Sequence, residues 1–317
     1  MNIAQLHRTF DTQDKCIAYL EKLRWDKKPV CLHCKSEKVY KRKGSIKWHC
    51  NTCNKDYSVL FDTIFEETRL PLQQWFEIIL FMNNAKMGVS AAEISRNTGV
   101  TYKTAWYCGM RARCAMINNE IRLEGLVEFD ESYFGGKARK QEKNPPTNEP
   151  NLSQITVKRG RGTNKVPVVG AVEKKGQVYV KIIEKLTGKN LLAMLKKTVN
   201  THDTIVFTDE FKSYGSFDKV VDRVKIKHSE SYGHGMKTIN TIEGFWSLLK
   251  NGIKGNYRAI SKKYLPFYLA EFSYKFNNRH LKADSFEKLL ENSVKEDTLF
   301  LNYKPIKKDT KALVYSK

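Results

Sequence analysis

Four cysteines in two short pairs, Cys31-x2-Cys34 and Cys50-x2-Cys53 with fifteen residues between them, constrain this chain more than any other feature. Each pair fits a tight knuckle that turns two sulfurs inward, and two knuckles supply the four thiolates of a tetrahedral structural zinc site. Between the pairs, the strand-like Val39-Tyr40 and Ile46-Lys47-Trp48 flank a turn near Gly44, and Tyr57 to Phe61 is a further strand candidate. The stretch from about 29 to 61 therefore reads as a zinc ribbon. A redox dithiol needs only one pair, in βαβ surroundings that this stretch lacks. His33 and His49 lie beside ligands, but four sulfurs already close the shell. Seven cysteines is an odd number, and the N-terminus carries no export signal, so a disulfide framework is a poor reading. Cys16, Cys108 and Cys114 lack ligand spacing and are expected as buried small apolar groups.

Charge narrows the partner. Across 317 residues, 56 Lys and Arg stand against 34 Asp and Glu, a formal excess of +22. A chain that tolerates this much self-repulsion points to a polyanion, and nucleic acid is the first one to consider. Apolar residues at 41% and aromatics at 11% suffice for real cores, so wholesale disorder is excluded, and the length suits two or three domains. No apolar run is longer than that of Ile78 to Met82, which is far short of a bilayer span. Met1 to Cys16 holds Asp11 and Asp14 and no apolar signal core. The expectation is a cytoplasmic, nucleoid-associated protein with no membrane partner.

Residues 11 to 25 read as a helix that Asp11 can cap, with Ile17, Leu20, Leu23 and Trp25 as its apolar stripe. Pro71 opens a second helix with Leu72, Trp75, Phe76 and Ile79 on one face. Ser90-Ala-Ala-Glu93 is a capping-box pattern that begins a short helix, Gly99 supplies a turn, and Thr101 caps a further helix to about Ala115. Helix, glycine turn and helix form a helix-turn-helix layout, which places Tyr102, Lys103, Thr104, Tyr107 and Arg111 as candidate DNA contacts. The basic flank Arg111-Ala-Arg113 favours DNA contact over an ordinary helical hairpin. From Leu126 the texture changes: strand candidates at 126–134, 166–172, 178–183, 204–208 and 224–226, a helix at 191–199, then helices at about 239–253, 261–279 and 284–292. That order is mixed α/β and consistent with a ribonuclease-H-like layer sheet. Lys137 to Lys165 has eight Lys or Arg, two Glu and no aromatic, so it reads as a basic loop. It is either a solvated insertion or a clamp on a nucleic-acid backbone, with Arg159 and Arg161 as its candidate contacts.

Asp130 and Asp209 share a context, each at or near the end of an apolar or β-branched strand candidate. On paired parallel strands their carboxylates lie side by side, and two like charges held that close call for a cation between them. Glu243 falls in a helix whose Ile242, Phe245, Trp246 and Leu249 pack inward, and Lys250 lies two turns further on. Three hard oxygen ligands suit Mg²⁺ or Mn²⁺ rather than zinc, and two such ions suit phosphodiester chemistry. Glu128, Glu131 and Glu210 compete for the same role, and spacing does not separate them.

Three segments resemble those of the ISXO-type insertion-sequence transposases, DDE-class enzymes with an N-terminal zinc ribbon. They are Phe129-Asp-Glu-Ser-Tyr-Phe-Gly-Gly-Lys137, Phe207-Thr-Asp209, and Asn240-Thr-Ile-Glu-Gly-Phe-Trp-Ser-Leu-Leu-Lys250. Phe276-Asn-Asn-Arg279 also fits, and the resemblance covers roughly residues 12 to 292. It implies a ribonuclease-H-like core that holds two divalent metals, with Asp130, Asp209 and Glu243 as the metal-binding trio and Lys250 as a basic residue at substrate phosphate. It further implies binding of double-stranded DNA, both element ends and target, followed by strand cleavage and strand transfer, with the protein working as a homo-oligomer. The expected organisation is an N-terminal helix and ribbon over 1–65 and a helix-turn-helix over 66–120. A catalytic domain over 121–295 and a basic tail over 296–317 complete it. A catalytically silent DNA-binding regulator derived from such an enzyme, and a nuclease that cuts without joining, are the competing readings.

Overall fold

The computed structural model describes residues 1–26, 28–135, 165–226, 239–281 and 284–295. The basic loop with Arg159 and Arg161, apart from Lys165, and the tail over 296–317 lie outside the described residues.

The N-terminal part is helical around the ribbon. Helices α1 (Ile3–Thr9) and α2 (Gln13–Trp25) come first. Thr12, not Asp11, caps α2, accepting from the Lys15 N–H at 3.3 Å. Asp11 instead pairs with the Lys15 side chain at 2.8 Å, because one residue further out its carboxylate meets a flexible cation before it meets the helix N–H groups. Strands β1 (Val39–Lys41), β2 (Lys47–Cys50) and β3 (Lys55–Ser58) form an antiparallel sheet in that order, with Gly44 at φ 66° in the first turn. Helix α3 (Leu72–Asn84) follows Pro71, and α4 (Ala91–Thr98) is capped by Ser90. Gly99 ends α4 at φ 72°, and Thr101 caps α5 (Tyr102–Ala115). The α4–Gly99–α5 unit is the helix-turn-helix arrangement the capping signals foretell.

The second sheet has five strands in the order β6–β5–β4–β7–β8. They are β4 (Leu126–Phe134), β5 (Val166–Glu173), β6 (Val178–Ile182), β7 (Ile205–Thr208) and β8 (Asp222–Lys225). Between β6 and β7 runs helix α6 (Gly188–Thr198), and between β7 and β8 a 3₁₀ segment, Lys212–Lys219. β4, β5 and β6 are antiparallel, whereas β4 pairs with β7, and β7 with β8, in parallel. One face of the sheet packs Val127, Phe129 and Val206 against Leu191, Met194 and Leu195 of α6 and Tyr214 and Phe217 of the 3₁₀ segment. The first turns of α7 (Asn240–Gly252) lie on the other face. Side chains of a strand alternate between faces, so β4 serves both layers at once. Helices α8 (Leu265–Asn277) and α9 (Ser285–Ser293) complete the described chain.

The chain forms two compact units: Met1–Glu120 with Leu248–Tyr257 and the described residues from Lys263 onward, and Ile121–Ser247 with Arg258–Lys262. In the first, Trp75 and Phe76 of α3 are fully buried in one core with Phe286, Leu289 and Leu290 of α9, each such side chain contributing about 1.5–3 kcal/mol by leaving water. The last two helices thus group with the N-terminal helices rather than with the sheet.

Candidate active site

β7 stops at Thr208, which pairs with Phe129 of β4. Asp130 is the next residue of β4 and Asp209 the first residue past β7, so two parallel neighbours bring them side by side where pairing ends. Asp130 is not at the end of its own strand, as expected from sequence, but in the middle of β4, opposite Gly170 of β5. The ending that matters is that of β7. Beyond it, among the described residues, no strand pairs with this edge of β4, and Glu131, which points to the opposite face, also reaches the cluster. Oxygens of Asp130, Glu131 and Asp209 lie within 4.8 Å of one another, and all three residues are half-buried.

Each carboxylate is held by a different part of the fold. The Trp246 indole N–H of α7 donates to Asp130 Oδ2 at 3.0 Å. The Tyr214 hydroxyl donates to Glu131 Oε2 at 3.0 Å, and the Phe211 N–H to Asp209 Oδ1 at 3.0 Å. Burial, then the neighbouring charges of Glu131 and Asp209, push the Asp130 carboxyl up to about 7, and the Trp246 hydrogen bond only partly offsets them. Hard oxygen donors in this number fit Mg²⁺ or Mn²⁺.

α7 is anchored by Glu128, a fully buried carboxylate that accepts from the Ile242 N–H and the Thr241 hydroxyl, both at 2.9 Å. Glu128 is thus the N-terminal anchor of a helix rather than part of the acidic cluster. Glu243 is exposed on the first turn of α7 and is not among the three acids whose oxygens gather. Lys250, two turns on, is also exposed, as is Glu210. Glu131 stands among the competing acids in the sequence, and strand alternation argues against it, since neighbours on a strand face opposite ways. Tyr214 escapes sequence reading because a buried tyrosine in an aromatic run looks like core. Trp246 is legible as core but not as a hydrogen-bond donor.

The four cysteines come together as their spacing requires. Cys31 and Cys53 Sγ are 3.6 Å apart, as are Cys34 and Cys50 Sγ, close to the edge of about 3.8 Å that a tetrahedron of ~2.3 Å zinc–sulfur bonds has. The two knuckles repeat one geometry. Lys35 and Asn54, each just after the second cysteine, adopt positive φ and return their N–H to the carbonyls of Cys31 and Cys50 at 2.8 and 2.9 Å. The set fits structural zinc. His33 lies against the Phe61 ring and His49 bonds Asp56 at 2.7 Å, so neither joins the sulfurs. Cys16, Cys108 and Cys114 are buried, as expected.

On α5, Tyr102 is 61% exposed, Lys103 is exposed, and Thr104 is half-buried with its hydroxyl 2.9 Å from that of Thr101. Arg111 departs from expectation. It is 3% exposed, donates to the Glu66 carbonyl at 2.7 Å and to the Tyr107 hydroxyl, and stacks on the Tyr107 ring. Arg113 is buried too, bonded to Glu271 at 2.8 Å over the Tyr268 ring. Burial pushes the Glu271 carboxyl up, but Arg113 and Lys275 outweigh it and hold it at about 2. The basic flank of α5 is therefore internal framework, because its arginines sit on the face that α5 turns to its own unit.

Residues 122–277 match the family described as the ISXO2-like transposase domain, of the DDE class, and residues 11–56 match the transposase zinc-ribbon domain. An uncharacterized protein in transposable element ISH50 of Halobacterium salinarum is 27% identical over 276 residues, covering 84% of this chain and 91% of that protein. An uncharacterized transposase-like protein of Haemophilus influenzae is 30% identical over 110 residues, 34% of this chain and 88% of that protein. Among solved structures, a pre-cleavage Mos1 transpososome aligns at 11% identity over 73% of this chain and 82% of that chain, with a TM-score of 0.24. No helix among the described residues is long and apolar enough to cross a membrane.

Proposed function

This chain belongs to the ISXO2-like transposase family, and from that premise we propose that it binds the ends of an insertion sequence and catalyses divalent-metal-dependent DNA strand cleavage and strand transfer. The observation that carries this reading is the convergence of Asp130, Glu131 and Asp209 within 4.8 Å, where β7 ends beside β4. Bound there, a pair of divalent ions supplies activation of the attacking oxygen and stabilisation of the leaving oxygen at phosphorus. Asp130 and Asp209 would hold the metals, and Glu131 would share that task. Glu243 and Lys250 keep the roles the family resemblance gives them, as a further metal-facing acid and a contact to substrate phosphate. Cleavage and joining are both in-line displacements at a phosphodiester, so one site serves both.

The ribbon and the α4–Gly99–α5 unit are the proposed contacts to double-stranded DNA, with the exposed Tyr102 and Lys103 and the half-buried Thr104 and Tyr107 as the readers. Arg159 and Arg161 of the basic loop are proposed backbone contacts. Two ends must be processed together, so the working form is a homo-oligomer on DNA, at the nucleoid in the cytoplasm. Labelled duplex carrying an element end, incubated with the protein and Mg²⁺, is expected to give both nicked and joined products. Asp209→Asn is expected to give neither while binding DNA as before. Nicked products alone point to a nuclease, and an unaffected Asp209→Asn variant overturns the assignment of the site.

A further inference from the structure

One short segment both supplies a metal-facing acid and reaches across to another. Asp209 closes a tight turn onto the Phe211 N–H, and five residues after it Tyr214 meets Glu131 at 3.0 Å. The segment is fixed at both flanks. Ser213 Oγ donates to the Leu186 carbonyl at 3.0 Å and Ser216 Oγ to the Gly188 carbonyl at 3.0 Å. At Gly188 an added Cβ would come within 3.3 Å of the Ser213 carbonyl and the Ser216 side chain, so the start of α6 sits hard against the segment.

Tyr214 itself is fully buried, with its ring between Phe211 and Phe217. A phenylalanine would fill that space equally well. The hydroxyl adds a polar group that costs stability in an apolar cluster unless it has a partner, and the partner is Glu131. The Tyr214 hydroxyl is an O–H donor and the Glu131 carboxylate accepts it.

We propose that Tyr214 is a positioning residue whose hydroxyl fixes Glu131, so that this acid, from the face opposite Asp130, takes part in holding the divalent metal. The inference rests on the reading of the acidic cluster as the metal site. Asp130 is held from one face of the sheet by Trp246 and Glu131 from the other by Tyr214, so the site is clamped by both layers that cover the sheet. Partners of this kind set the orientation of a ligand and change metal affinity by about 10- to 100-fold.

The test is a titration of the full chain with Mn²⁺, followed by the loss of the free-ion paramagnetic resonance signal, with zinc content and thermal midpoint measured alongside. Tyr214→Phe, which keeps the ring, is expected to weaken Mn²⁺ binding about 10-fold or more. Glu131→Gln is expected to weaken it at least as much, and the double variant no further than Glu131→Gln alone, because both act through one carboxylate. Wild-type affinity in Tyr214→Phe, wild-type affinity in Glu131→Gln, or two losses that simply multiply would each overturn the proposal. Binding that vanishes in Asp209→Asn but is unchanged in Tyr214→Phe overturns this inference alone. A wild-type protein that takes up no Mn²⁺ overturns the metal site, and the inference with it.

Discussion

Trp246 reaches Asp130 across a strand position that has no side chain: Gly170 pairs with Asp130 in the sheet, and the indole N–H passes over it to Oδ2 at 3.0 Å. A Cβ at Gly170 would lie 2.7 Å from the Trp246 ring and 2.8 Å from Ile242 Cδ1. The glycine is there for close approach, since its own φ is not in the left-handed region.

Gly170→Ala is therefore expected to push α7 off the sheet at the point where it touches the site. Overpacking of this kind costs about 1–3 kcal/mol. Denaturant unfolding should show the loss, and DNA cleavage should fall more than DNA binding. An unchanged unfolding midpoint would show that the helix does not sit where this geometry places it.

The acidic cluster has a pH signature. The Asp130 carboxyl rises from 3.8 to about 7 in the folded, metal-free chain, so the fold favours its protonated form. The associated stability is full below the unfolded pKa and is lost as pH rises through the folded one. Without added divalent ion, the thermal midpoint should fall as pH rises from about 4 to about 7 more steeply in the wild type than in Asp130→Asn. Mn²⁺ affinity should rise over the same window as the proton is displaced. Parallel midpoint curves for the two proteins would remove Asp130 from this role.

The two cations of α5 should separate cleanly. Arg111→Ala removes a buried guanidinium bonded to the Glu66 carbonyl and is expected to lower stability by about 1.5–3 kcal/mol. Lys103→Ala should leave the thermal midpoint alone, weaken binding to duplex DNA regardless of sequence, and reduce the salt slope of log K by about 1. Equal loss of stability in both variants, or no change in the salt slope for Lys103→Ala, would contradict the division.

How much of this was legible beforehand depended on whether the signal was local. The ribbon, the Ser90 and Thr101 caps, the Gly99 turn and the positions of the strands along the chain all rest on residues close in sequence, and spacing alone locates them. Asp130 and Asp209 were legible because each lies in or just after an apolar strand candidate, and the parallel pairing of β4 with β7 sets them adjacent. Glu131 was ambiguous because spacing does not separate it from Glu128 and Glu210, and its place at the cluster depends on β4 losing its β7 neighbour after Phe129. The burial of Arg111 and Arg113 was not legible. Their partners, Glu66 and Glu271, are 45 and 158 residues away, and a basic pair on a helix reads the same whether it faces DNA or core.

Zinc should bind once per chain. The ribbon is tied to α2 through Glu21, which accepts from Trp48 Nε1 at 2.9 Å and from Lys41 at 3.0 Å. Cys31→Ser should abolish the metal, destabilise this docking along with the knuckles, and weaken DNA binding. Elemental analysis that finds no zinc in purified wild-type protein would refute the four-thiolate site.

The most direct measurement is anomalous diffraction from crystals of the full chain grown with Mn²⁺. Scattering peaks are expected at coordination distance from both Asp130 and Asp209, with Glu131 reaching at least one of them. Peaks that fall away from all three carboxylates, in crystals that retain zinc at the ribbon, would contradict the catalytic site proposed for this member of the transposase family.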